Sequence, residues 1–86
     1  MPARYVEVVW RRNQVGHPRV GLIVPRFRHS AVARNRVRRR LREIARRGPL
    51  GALPSVDVLV RARPAAYAAE FTALRDDLTL ALTRIA

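Results

Sequence analysis

The run Ser30-Ala31-Val32-Ala33-Arg34-Asn35-Arg36-Val37-Arg38-Arg39-Arg40-Leu41-Arg42-Glu43-Ile44-Ala45-Arg46-Arg47 decides how the rest of the chain is read. Its apolar residues Ala33, Val37, Leu41 and Ile44 recur at spacings of four, four and three. With successive side chains turned by about 100°, these four share one stripe about 80° wide, enough to dock a helix on a sheet. Ser30 is suited to cap such a helix and Gly48-Pro49 to stop it, which predicts a helix over 30–47. Most of the remaining positions are arginine. Arg34, Arg38 and Arg42 form an i, i+4, i+8 column, Asn35, Arg39 and Arg46 extend it around the outer face, and Arg36, Arg40 and Arg47 occupy the far side. Residues 26–47 hold ten arginines against a single acid, Glu43. Each like-charge pair at i, i+4 costs a helix about 0.2–0.5 kcal/mol, so the column carries a local cost that a bound polyanion would relieve.

Upstream of this helix, Tyr5-Val6-Glu7-Val8-Val9-Trp10 is rich in β-branched and aromatic residues and predicts a strand. Asn13 to Pro18 interrupts it as a turn, and Arg19 to Val24 predicts a second strand that Pro25 ends. Downstream, Leu50 to Ser55 is a loop, Val56 to Ala62 alternates as a third strand, and Arg63-Pro64 closes it. Phe71, Leu74, Leu78, Leu82 and Ile85 then recur at three, four, four and three, the pattern of an amphipathic helix covering a sheet. The order β-β-α-β-α predicts an α+β fold, a small open sheet with helices packed on it, in a single domain over 1–86. By alternation Val6, Val8, Trp10, Val20, Leu22 and Val24 form the more apolar sheet face. Tyr5, Glu7, Val9, Arg11, Arg19 and Ile23 form the more polar one. The last helix carries two arginines against three acids over 64–86, so it is a covering element and the first helix is the electrostatic one.

The whole chain has 86 residues, eighteen bases, six acids and a formal charge of +12, and every one of the bases is arginine. With 49% hydrophobic residues it is too apolar for simple disorder. The charge calls for a polyanionic partner, and the planar fork of arginine suits phosphate. An acidic membrane surface would need a broad face of Leu, Phe or Trp, whereas the stripe here is narrow and needed for the core. No apolar run approaches the roughly 18 residues of a membrane span, and Met1-Pro2-Ala3-Arg4 lacks the apolar core of a signal peptide. Cysteine is absent, which removes disulfides and thiolate chemistry and fits a cytoplasmic location. His17 and His29 lie in turns without a partner in sequence and the acids are scattered, so no catalytic or metal-binding set can be assembled from the chain. Nucleic acid is left as the partner. Asn35, amid the arginines, has an amide that both donates and accepts and suits a 2′-hydroxyl or a base edge.

Residues Val20-Gly21-Leu22-Ile23-Val24-Pro25-Arg26 and the Ala31-Val32 to Glu43 run resemble the protein component of bacterial ribonuclease P. That family shows a strand ending in a basic pair, a short turn, Ala-Val, then Arg-Asn-Arg, an aliphatic residue, two basic residues and another arginine three further on. Arg34, Asn35, Arg36, Val37, Arg38, Arg39 and Arg42 occupy those places without a gap. Asp57, the Val-Leu-Val strand, Arg63-Pro64 and the amphipathic end of the chain are similar as well. The resemblance implies an α-β sandwich with a left-handed βαβ crossover. It also implies that the catalyst is an RNA, a metal-dependent ribozyme that removes the 5′ leader of precursor tRNA with Mg2+ at its own active site. The protein would then carry no catalytic residue, no bound metal and no cofactor of its own.

On that resemblance Arg34, Asn35, Arg36, Arg38, Arg39 and Arg42 are the expected contacts to ribonuclease P RNA. Arg26, Arg40 and Arg46 are expected as supporting phosphate contacts, and Tyr5, Val8, Phe27 and Arg61 as candidate contacts to the leader. Two departures stand out. Family members usually carry a further N-terminal helix ahead of the first strand, and this sequence begins at that strand, so an uncovered sheet face is expected, shielded by a second copy as a homodimer or by the RNA. Phe27, Arg28 and His29 stand where the family has a second basic residue, an aliphatic one and glycine, so the turn before the helix is expected to be reshaped. Three other classes compete: a general basic RNA-binding or ribosomal-type protein, a DNA-binding module reading a major groove with the same helix, and a stand-alone nuclease.

Overall fold

The computed structural model describes residues 4–85. Three strands, β1 (Val6–Arg12), β2 (Arg19–Ile23) and β3 (Val56–Ala62), are accompanied by two helices, α1 (Ala31–Arg47) and α2 (Phe71–Thr83). Short 3-10 turns at Pro49–Ala52 and Pro64–Tyr67 complete the order. The predicted elements are present, with β1 running two residues further than the sequence pattern suggests and β2 ending one residue earlier. The Pro64–Tyr67 turn is not foreshadowed by the pattern.

The sheet order is β1-β3-β2, so the last strand in sequence sits in the centre. β3 pairs antiparallel with β1, matching Val8 to Val60 and Trp10 to Val58, and parallel with β2, matching Val20 to Val58 and Leu22 to Val60. A parallel pair cannot be joined by a tight hairpin, and here α1 lies on the connection between β2 and β3. Central placement suits β3, because Val56, Val58, Val60 and Ala62 are all buried on one face while the intervening residues are not.

Both helices cover that same face. α1 delivers Val37, Leu41, Ile44 and Ala45, and α2 delivers Leu74, Leu78 and Leu82, followed by Ile85. The apolar sheet face read from alternation is the covered one except at one position: Val6 and Val24 are buried and Val8, Val20 and Leu22 pack against the core, whereas Trp10, assigned to the same face, is exposed and stays out of the core. Two helix positions also need correction. Ala33, in the first turn of α1, is only half-buried, and Ala45 extends the buried stripe at the other end. Phe71, assigned to the covering face, is exposed; it is the first residue of α2 and lies beside Glu43, Arg47 and Arg75 rather than over the sheet. The Asp77 carboxylate of α2 accepts hydrogen bonds from the backbone N–H groups of Arg4 and Tyr5 at 2.8 Å each, which fastens the entry to β1.

Candidate nucleic-acid interface

The cap of α1 is built as its sequence predicts. The Ser30 side chain accepts a hydrogen bond from the Ala33 backbone N–H at 3.1 Å, and the Gly48 N–H closes the far end on the Ile44 carbonyl. With the buried stripe fixed, the opposite side of the helix is set by geometry. Val32, Asn35, Arg39, Arg42 and Arg46 follow at spacings of three, four, three and four, a ridge pointing roughly 150° away from the core stripe. All five are exposed, Val32 at 69%. Asn35, Arg38, Arg39 and Arg42 line one shallow groove with Val32 at its edge.

Apart from Arg47, the arginines of α1 divide into two kinds, a distinction that spacing alone does not reveal. Arg36, Arg38, Arg39, Arg42 and Arg46 are exposed and, among the described residues, meet no carboxylate or carbonyl partner. Arg34 and Arg40 are half-buried. Arg34 Nε donates to the Val24 carbonyl at 2.7 Å, tying the first turns of α1 to the end of β2. Arg40 Nη1 donates to the Ala69 carbonyl at 3.5 Å. Arg34 thus belongs to the scaffold through one nitrogen, with its remaining donors left to a ligand, and the i, i+4, i+8 column is not a uniform surface. Glu43 pairs with Arg47 at 2.6 Å rather than with the ridge.

The turn leading into α1 is tight. The His29 backbone N–H donates to the Arg26 carbonyl at 2.7 Å, and the two central residues, Phe27 and Arg28, have φ of 48° and 69°. Left-handed backbone at a residue with a side chain costs about 1–2 kcal/mol, so this turn holds strain at two adjacent positions. Tyr67, from the Pro64–Tyr67 turn, supports it. The Tyr67 hydroxyl donates to the Pro25 carbonyl at 2.5 Å. The Phe27 ring meets Tyr67 edge-on at 6.1 Å, and the His29 ring lies parallel to it at 3.9 Å and 4°. No sequence spacing links residue 67 to residues 27 and 29; the only available sign is an aromatic residue among alanines just after β3.

Among the described residues no helix covers the other sheet face. Val9 (54% exposed), Leu59 and Ile23 lie on it, with Glu7 and Arg61 towards one end and Arg11, Arg19 and Asp57 towards the other. Asp57 accepts from Arg19 Nε and Nη2 at 2.7 and 2.9 Å and from Asn13 Nδ2 at 2.9 Å, with Arg11 at 3.9 Å. The bidentate Arg19 contact, then the Asn13 amide, hold the Asp57 carboxyl down at about 2, and the same pairing raises Arg19. Asn13 also accepts from the Val15 N–H and donates to the His17 carbonyl, so this one acid organises both the turn and the sheet end.

The four candidate leader contacts do not come together. Arg61 is exposed on the open face in the central strand, so it is not an edge residue. Val8 is on the opposite, helix-covered face and is half-buried against the core, because its register partner is Val60. Tyr5, read from alternation as part of the polar face, packs against the core instead, beneath the Arg4 guanidinium. Phe27 is 38% exposed at the strained turn beside Arg26. Among the described residues no group of three or more His, Cys, Asp or Glu side chains stands ready to hold a metal ion, and no helix is long and apolar enough to cross a membrane. The chemistry this surface offers is charge-assisted hydrogen bonding from free guanidinium groups, one free amide and exposed rings.

Comparison with known proteins places these features in a family. The Ribonuclease P family model matches residues 1–86. The ribonuclease P protein component of Thermus thermophilus is 43% identical over 81 residues, covering 94% of this chain and 47% of that protein. Its counterpart from Mycobacterium tuberculosis is 40% identical over 77 residues, covering 90% and 66%. The chain thus spans about half the length of the Thermus relative it matches. Among solved structures, the RNase P protein from Thermotoga maritima superposes with a TM-score of 0.87 at 30% identity, covering 100% of this chain and 82% of that one. The Staphylococcus aureus RNase P protein shares the fold with a TM-score of 0.84 at 24% identity, covering 99% and 80%.

Proposed function

The chain belongs to the ribonuclease P protein family, and on that premise we propose that it is the RNA-binding subunit of ribonuclease P, assisting a catalytic RNA in removing the 5′ leader from precursor tRNA in the cytoplasm. The observation that carries this reading is the outward side of α1: Asn35, Arg39, Arg42 and Arg46 on the ridge and Arg36 and Arg38 on its flanks are exposed on a helix whose opposite stripe is locked in the core. A rigid row of guanidinium groups that no acid among the described residues neutralises is preorganised for a phosphate backbone. Asn35 at the N-terminal end of that row supplies a donor and an acceptor for a ribose hydroxyl or base edge.

In this reading Arg34 and Arg40 contribute from the flanks while bracing α1, and Arg26 contributes from the turn. Mg2+ at the RNA's active site supplies the hydrolytic chemistry, and this chain's residues bind and orient RNA. The open sheet face, with Arg61, Ile23 and Val9, is the surface left for the precursor's single-stranded leader or for a second copy of the chain. The test is cleavage of precursor tRNA by ribonuclease P RNA at low magnesium, with and without the protein. The protein should raise the rate and should cleave nothing without the RNA. A general basic RNA-binding protein would bind and give no rate gain, which would overturn the proposal.

A further inference from the structure

The strained turn at Phe27 and Arg28, with the rings stacked against it, lies outside the arginine ridge and is unexplained by it. The His29 imidazole is parallel to the Tyr67 ring on one side. Its other side meets no ring among the described residues, and His29 is exposed. The layer beneath is held in place from three directions. Tyr67 is tethered through its hydroxyl to the Pro25 carbonyl, Phe27 abuts it edge-on, and the His29 N–H closes the turn on Arg26. Arg26 Nε reaches back to the His29 carbonyl at 3.4 Å, and Arg28, between Phe27 and His29 in the turn, is exposed.

We propose that the free face of the His29 ring is a stacking site for one unpaired nucleobase of RNA, with Arg28 and Arg26 engaging its flanking phosphates. The proposal rests on the RNA-binding reading above and adds to it a second contact of different chemistry. Three points on the structure support it. A flat ring already fixed in a two-layer stack can accept a third layer with little further loss of freedom. A local charge made only of arginine selects an anionic chain as the bearer of that layer. And left-handed backbone at two residues with large side chains is retained where a glycine would relieve it, which places Phe27 against Tyr67 and brings His29 over the ring. Stacking of this kind tolerates any base, because every base has a π-face.

The experiment compares an eight-nucleotide oligoadenylate with an abasic ribose-phosphate octamer of equal charge, binding to the full chain. Binding is followed by fluorescence anisotropy and by NMR of the two histidine rings. Oligoadenylate should move the His29 ring protons upfield, whereas the abasic octamer should not, and His17, in the turn ahead of β2 rather than beyond its end, should serve as an unmoved reference. His29→Ala should weaken oligoadenylate binding on the order of tenfold while leaving the abasic octamer unchanged, and His29→Phe should recover most of the loss. Equal affinity of the unsubstituted protein for the two octamers, or a His29 shift no larger than that of His17, would overturn the stacking site, and neither result depends on a variant that folds. If both octamers bind equally and with steep salt dependence, only the stack is refuted; if neither binds, the RNA-binding reading itself has failed.

Discussion

Replacing Arg38, Arg39 and Arg42 together by alanine isolates the electrostatic part of binding from the fold. In the structure these side chains, with Arg36 and Arg46, are exposed and without an acidic partner, so about five guanidinium groups can displace counterions from an RNA backbone. With a slope near −0.9 per phosphate contact, a fourfold rise in salt should weaken binding of the unsubstituted protein roughly 500-fold. With about two contacts left, the same rise should weaken the triple variant only about twelvefold. The substitutions also remove three like-charge i, i+4 pairs, Arg34 with Arg38, Arg38 with Arg42 and Arg42 with Arg46. That should leave the fold unharmed or more stable by about 0.5–1.5 kcal/mol. The assay is filter binding to ribonuclease P RNA across a salt series, with thermal unfolding of the free protein alongside. An unchanged salt slope would refute the assignment of the ridge as the RNA contact, and a fall in unfolding temperature would show that these arginines belong to the scaffold instead.

The core, the acid on the sheet and the strained turn each give a separate test. Leu41→Ala removes a fully buried side chain from the centre of α1's docking stripe and should cost about 2–5 kcal/mol in urea unfolding, whereas Val32→Ala, on the outer ridge, should change stability little. Asp57 has its pKa lowered to about 2 in the folded state, below its unfolded value, so its contribution is fully present above the unfolded pKa and is lost as pH falls through the folded pKa. Thermal unfolding should therefore lose stability between about pH 4 and pH 2 through this group, and Asp57→Asn should flatten that portion of the profile while lowering stability at neutral pH. Arg28→Gly, at φ of 69°, should raise stability by about 0.5–1 kcal/mol, since glycine adopts left-handed backbone freely; destabilisation in chemical unfolding would mean that the Arg28 side chain makes a contact outweighing the strain.

Much of the arginine helix is legible in the amino-acid order alone. Local rules govern it: Ser30 caps, Gly48 stops, and the positions of Val37, Leu41 and Ile44 fix which side faces inward, so the opposite side follows by subtraction. The covered sheet face is legible for the same reason, because strict alternation leaves Val6, Val8, Val20, Leu22 and Val24 on one side, although Trp10, in the same alternation, is exposed rather than covered. Legibility fails where a contact spans the chain. Arg34 looks like its neighbours in sequence but reaches the Val24 carbonyl, and Phe71 fits the periodicity of α2 but lies beyond the sheet. Val8 and Arg61, both candidate leader contacts, are on opposite faces, since the register sets Val8 against Val60.

The sequence by itself determined the three strands and two long helices, most of the inward stripe of each helix and the concentration of positive charge on one of them, since periodicity, capping and composition act over a few residues. Only the tertiary structure decided that β3 enters between β1 and β2, that Asp57 gathers Arg19, Asn13 and Arg11 around it, and that Tyr67 comes to lie beneath His29. Those pairings join residues about forty positions apart. No local preference encodes them; they follow from the one arrangement that buries the valines of β3 under both helices while keeping every guanidinium of the outer ridge in water.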